Sequence, residues 1–135
     1  MPPAISSLAT LLRSMEPMRH DGVYAYCVVP DDADLQALVP VVTVREPEGL
    51  TVVVPIEKAD EFGLSVLFRA AWITLKVHSD LQAVGLTAAF SGALGMAGIS
   101  CNVVAGACHD HIFVPESQAQ QALEVLRALQ RDANS

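Results

Sequence analysis

Positive charge is scarce: 8 Lys and Arg stand against 15 Asp and Glu, giving a formal net charge of −7 and a pI near 4.8. The basic footprint that holds phosphate backbones or an anionic bilayer face is missing, which counts against nucleic acid and membrane as partners. Cysteines are few and odd in number, Cys27, Cys101 and Cys108, at irregular spacing. They form no disulfide framework, and a cytoplasmic location is expected. No basic segment followed by a long apolar one opens the chain at Met1-Pro2-Pro3-Ala4-Ile5, so no secretory signal is visible. There is no nucleophile elbow, no phosphate loop and no catalytic dyad at recognisable spacing, so a non-catalytic protein without a cofactor is expected. Residues that only folding brings together leave no linear trace, and His78, Asp110 and His111 are the groups a small enzyme would draw on. Apolar residues, in contrast, make up 52% of the 135. That suffices for one domain or two very small ones and excludes disorder as the main state.

Leu81 to Cys108 contains no charged residue and has the length of a bilayer span. Its period changes halfway, however. Leu86, Ala89, Phe90, Ala93, Leu94 and Ala97 fall at helical spacing, whereas Ile99 to Ala105 is β-branched and reads as a buried strand. Five glycines interrupt it and no basic cluster flanks it, so it reads as core.

The spacing of Ile5, Leu8, Ala9, Leu11 and Leu12 predicts a short helix ended by Ser14 to Pro17. A strand follows at Val23 to Val29, and Pro30 to Asp34 opens at most a short helix through Leu38, closed by Pro40. Val41 to Arg45 and Leu50 to Val54 form a hairpin through Glu46-Pro47-Glu48-Gly49. Pro55 begins a helix with Glu57, Lys58, Asp60 and Glu61 on its wet face and Gly63 as cap. Leu64 to Val77 is too long for one strand and reads as two that meet near Arg69 to Ala71, with Trp72 in the core. A helix from Gly85 to Met96, the strand Ile99 to Ala105, a polar turn and the strand His111 to Val114 come next. Pro115 and Glu116 open a last helix with the apolar stripe Ala119, Ala122, Leu123, Leu126 and Leu129.

Internal repetition orders these elements. Val53-Val54-Pro55 with Ala59 matches Phe113-Val114-Pro115 with Ala119, sixty positions on, and the preceding strands correspond. The chain therefore reads as two copies of one β-α-β-β-α unit, the split β-α-β plan in which two helices cover one face of a four-stranded antiparallel sheet. The second copy runs out of sequence after its helix. Its fourth strand comes from elsewhere, the other copy or the amino terminus, which makes the halves intertwined.

The segment Val77-His78-Ser79, then Val84-Gly85-Leu86-Thr87, then Gly98-Ile99-Ser100-Cys101-Asn102 resembles an ACT domain. With Leu12-Arg13-Ser14-Met15, the block Asn102 to Gly106 and His109-Asp110-His111 before Phe113-Val114-Pro115, the whole chain resembles small stand-alone bacterial proteins of tandem ACT-like modules. The resemblance implies an α+β, ferredoxin-like (βαββαβ) fold of two intertwined modules, antiparallel sheets covered by helices. Residues 1–70 make the first module, with the N-terminal helix, and residues 71–135 the second. It further implies a regulatory or sensor protein that binds a small ligand, usually an amino acid, at a module interface, and a homodimer. The ligand site it transfers is Ser79, Val84, Gly85, Leu86 and Thr87 in the loop and helix start, and Ile99, Cys101, Asn102 and Val103 on the strand. Glycine at a helix start admits close approach, and free helix amides there favour a carboxylate. Asn102 or Asp110 supplies an acceptor for an α-amino group, and His111 is a ligand contact or a hydrogen-bonded edge residue.

Other groups carry weaker readings. Gly92, Gly95 and Gly98 lie in the later turns of a helix and form no dinucleotide fingerprint. Thr87, Ser91 and Gly95 make a small-residue stripe suited to close helix packing. Cys108, His109, Asp110 and His111, with Cys101, His78 or Asp80 across the sheet, are the densest set of donors, but no zinc spacing appears and only His109 and His111 would share a strand face. Metal binding through His109-Asp110-His111 is one alternative. A structural, partner-binding module with no small ligand is the other.

Overall fold

The computed structural model describes residues 7–134. They fall into two compact units, a continuous one, Asp21–Ala71, and a split one that joins the described part of Met1–His20 to Trp72–Ser135.

In the continuous unit, β2 (Tyr24–Val29) pairs antiparallel with β4 (Gly49–Pro55), which pairs with β3 (Val42–Glu46). The order is β3-β4-β2-β5, where the first half of β5 (Phe68–Leu75) supplies the fourth strand. Register explains the core. Ala25 lies opposite Val54, Cys27 opposite Val52 and Val29 opposite Leu50, and all six are buried in one cluster. A slip of one residue would turn that whole set to the other face. The cluster is closed by Leu38 of α2 (Leu35–Leu38) and by Ala59 of α3 (Ile56–Glu61). The Asp34 carboxylate accepts from Ala37 N at 3.3 Å and starts α2; Val39, at φ 52°, ends it before Pro40.

The split unit contains α1 (Leu8–Ser14), β1 (Pro17–Arg19), the second half of β5, α4 (Leu86–Met96), β6 (Asn102–Ala105), β7 (Asp110–Pro115), a 3-10 turn (Glu116–Gln118) and α5 (Ala119–Ala133). Strand β1 pairs antiparallel with β5, Met18 opposite Thr74; β7 lies next to β5, and β6 pairs with β7. The amino terminus thus provides the strand that the second copy lacks. The described part of the segment before His20 packs with the residues after Trp72. Leu86, Phe90 and Leu94 of α4, Leu123 and Leu126 of α5, and Ile112 and Val114 of β7 are buried. Each such side chain contributes on the order of 1.5–3 kcal/mol.

Several expectations need correction. The run from Leu64 to Val77 holds one strand, β5, which exchanges β2 for β1 as partner along its length. The strand expected from Ile99 starts only at Asn102, because Ile99 N still bonds to Leu94 O at the end of α4. The Thr87, Ser91 and Gly95 stripe holds no neighbouring helix: Thr87 and Gly95 are exposed, and nothing among the described residues lies within 4 Å of a Cβ built at Gly95. Trp72 is half-buried and hydrogen-bonded, not a purely apolar core residue. Ile5 lies outside the described residues, among which no helix is long and apolar enough to cross a membrane. The glutamines along and just before α5 have work of their own: Gln118 and Gln121 donate to Gly98 O and Ala97 O just after α4, and Gln130 donates to Arg13 O in the last turn of α1, carbonyls at helix ends where intrahelical partners run out.

Candidate ligand-binding site

The loop between β5 and α4 folds on itself before the helix begins. Asp80 Oδ1 accepts from Gln82 N at 2.9 Å, Asp80 O accepts from Ala83 N, and the Ser79 hydroxyl donates to Asp80 O. Gly85, at φ 104°, then turns the chain into α4 in a conformation that side chains with a Cβ rarely adopt. No side chain caps α4. Its first-turn amides therefore keep the positive end of the helix available to an acceptor.

Across from this loop the β6–β7 hairpin is tight. Gly106 N donates to His109 O at 2.9 Å, and a Cβ on Gly106 would sit 2.9 Å from that same oxygen. Loop, helix start and hairpin enclose a cavity of about 70 Å³ lined by Ser79, Asp80, Leu81, Ala83, Leu86, Thr87, Ala105, Gly106 and Asp110. It holds two carboxylates and no basic side chain. Asp110 is only 7% exposed, and burial raises its pKa while neighbouring His111 lowers it.

Of the residues expected at a ligand site, Ser79, Leu86, Thr87 and Asp110 line this cavity. The others lie elsewhere. Val84 is 83% exposed, and a Cβ on Gly85 would meet Leu8 at 3.0 Å. Ile99 is buried, Val103 is paired with Ile112, and the Asn102 amide donates to Phe113 O. Burial pushes the half-buried Cys101 thiol up to about 11. His111 takes part in a separate chain of contacts: Trp72 Nε1 donates to its Nδ1, Thr74 Oγ1 lies 2.9 Å from that nitrogen, and His20 Nε2 lies 2.7 Å from Thr74 Oγ1. His20 also stacks on Trp72. The sequence reading missed Ala105 and Gly106 as cavity wall, although glycine in a short link between two strands is a sign of close backbone approach.

His109 Nδ1 is 3.2 Å from Val77 O, and no group of three or more His, Cys, Asp or Glu placed to hold a metal occurs among the described residues. A second concavity, about 200 Å³ and mostly apolar, lies in the continuous unit beside α2, with Phe62 and Leu64 on its rim.

The ACT domain family matches residues 3–71, and a second ACT domain match covers residues 68–128. The chain belongs to the ACT domain family. The two matches are in tandem, as the internal repeat requires. A Vibrio cholerae protein of unknown function, described as a possible transport protein, is similar over 93% of this chain and 97% of its own, with 49% identity and a TM-score of 0.83. An Agrobacterium tumefaciens protein shares the fold at 16% identity, covering 86% of this chain and 89% of its own, TM-score 0.67. So does the ligand-free regulatory subunit of aspartate kinase from Thermus thermophilus, at 12% identity, 86% and 97% coverage and TM-score 0.62. No curated protein matches.

Proposed function

We propose that this ACT-domain protein is a non-catalytic, cytoplasmic regulatory or sensor protein that binds an amino acid or a similar small metabolite at the cavity between the β5–α4 loop and the β6–β7 hairpin, and that it works as a homodimer. One observation carries this reading: the uncapped start of α4 and the buried Asp110 line the same small cavity. A helix start attracts a carboxylate and a buried carboxylate attracts an ammonium group, the two charges of a free amino acid. The similarity in fold to an aspartate kinase regulatory subunit supports a regulatory role.

The test is a thermal-shift panel of the twenty amino acids on untagged protein. A ligand at 100 times its Kd adds about 2.7 kcal/mol of stability, which moves the midpoint by several degrees in a chain of this length. A flat panel on folded protein would leave the partner-binding alternative in its place.

A further inference from the structure

We propose that the apolar concavity beside α2 is a docking site for a partner protein segment that offers one leucine- or phenylalanine-sized side chain flanked by lysine or arginine. Every residue it uses belongs to the continuous unit Asp21–Ala71, so it stands independently of the amino-acid reading above.

The concavity exists because α2 is short. Its four residues rise only about 6 Å, and Leu38 is the one that is buried. Past α3 the chain turns through Phe62 and comes back at Leu64, whose N–H donates to Ala59 O. Between α2 and that return about 200 Å³ stays open, walled by Val29, Ala33, Leu38, Phe62 and Leu64, with Asp34 as the one ionisable side chain on the wall. An apolar cavity of about 150 Å³ already holds a benzene ring, so a leucine or phenylalanine side chain fits here. Phe62 is 47% exposed on the rim. Apolar surface of this kind is covered at interfaces, where a side chain seated in a hollow carries much of the affinity.

Charge decides what flanks that side chain. Asp31, Asp32 and Asp34 are exposed in the loop on one side of the concavity, and Asp60 and Glu61, also exposed, directly precede Phe62 on the other. The Asp34 carboxylate stays beside the opening because its Oδ1 accepts from Ala37 N. Lys58 is already paired with Glu61 at 3.1 Å. Across Asp21–Ala71 nine acidic residues stand against three basic ones, a formal −6 of the chain's −7. Such a surface steers basic segments toward it and repels acidic ones. A second copy docking through the same unit would bring its own −6 with it, which makes a basic partner the better occupant.

The test is fluorescence anisotropy of rhodamine-labelled, end-capped peptides titrated with the full chain: Lys-Arg-Leu-Arg-Lys, the same peptide with serine in place of leucine, and Glu-Asp-Leu-Asp-Glu. The first should bind at least about tenfold more tightly than either control. Phe62→Ala should weaken it at least about fivefold, and so should the double variant Asp31→Asn with Asp32→Asn, whose exposed positions leave the fold alone. Raising the salt should weaken it further. Equal affinity for the leucine and serine peptides would reduce the contact to charge alone and overturn the anchored site. Equal affinity for the acidic peptide would overturn the charge argument. Affinity unchanged in both variants would put the peptide elsewhere on the chain, and no binding of any peptide would end the proposal outright. Sedimentation gives the last arm: self-association of the wild type that Phe62→Ala abolishes would show a second copy covering the concavity, and the partner proposal would fall.

Discussion

The indole N–H of Trp72 donates to Nδ1 of His111 across 3.2 Å. An indole nitrogen can only donate, so Nδ1 is the bare nitrogen of the ring and its proton sits on Nε2. The Thr74 hydroxyl, 2.9 Å from the same Nδ1, then donates to it as well and accepts from His20 Nε2. Burial and His109 lower the His111 pKa, and Asp110 opposes them.

Protonating His111 at Nδ1 would set donor against donor at Trp72, so the folded state favours the neutral ring. Its pKa is lower folded than unfolded. The resulting stability is present above the unfolded value, near 6.5, and is lost as pH falls through the folded one. Trp72 is the sole tryptophan, so its emission reports the event directly. A titration should show a transition below the ordinary histidine range in the wild type and none in His111→Phe. A transition that persists unchanged in the variant would overturn the assignment to His111.

Two glycines should respond to alanine with opposite signs. At Gly106 a Cβ would meet His109 O at 2.9 Å and His111 Nε2 at 3.2 Å, and the first of these is backbone that cannot swing aside. Gly106→Ala should destabilise by about 1–3 kcal/mol. At Gly92, inside α4, a Cβ meets nothing within 4 Å, and the alanine should stabilise by about 0.5–1 kcal/mol. Urea denaturation measures both, and equal effects would break the assignment of Gly106 to a steric role.

The sequence carried the repeat and the alternation in each hairpin because those depend on neighbours a few positions apart. Leu50, Val52 and Val54 announce their buried face without help from the rest of the chain. Strand β5 was harder, since its partners change from β2 to β1 within eight residues, and only the tertiary fold shows that Pro17–Arg19 completes the second module. At the cavity, Ser79, Leu86 and Thr87 were legible as a loop and helix start. Val84 and Asn102 share that stretch of sequence but point their side chains elsewhere, Val84 into solvent and Asn102 onto Phe113 O. Nothing in the order of residues distinguishes those directions.

Cys101 should be slow to react. Burial raises its thiol to about 11, so at about pH 8 only on the order of one molecule in a thousand carries the thiolate that attacks an alkylating reagent. Peptide mapping after iodoacetamide treatment of native protein should find Cys101 largely unmodified and, after denaturation in urea, fully modified. Rapid native modification would contradict the burial.

In the proposed site, Asp110 should set ligand binding against stability. Its folded pKa is raised, chiefly by burial, above the value it has when unfolded. Between those two values the folded chain holds the proton that the unfolded chain has already released. Stability therefore falls as pH rises through that window, and the whole penalty is present at neutral pH. Asp110→Asn keeps the shape and removes the charge. At about pH 7 the free variant should be no less stable than the wild type, and its advantage should shrink as pH falls through that window and vanish below the unfolded carboxylate range, where both side chains are neutral. Thermal unfolding of both proteins across that range measures the difference. A neutral-pH loss of stability in Asp110→Asn would mean that the ionised carboxylate is held by favourable contacts in the free protein, and a group so held has no need of an incoming ammonium. The predicted pairing of stability kept with amino-acid binding lost is what separates a ligand-receiving carboxylate from a structural one.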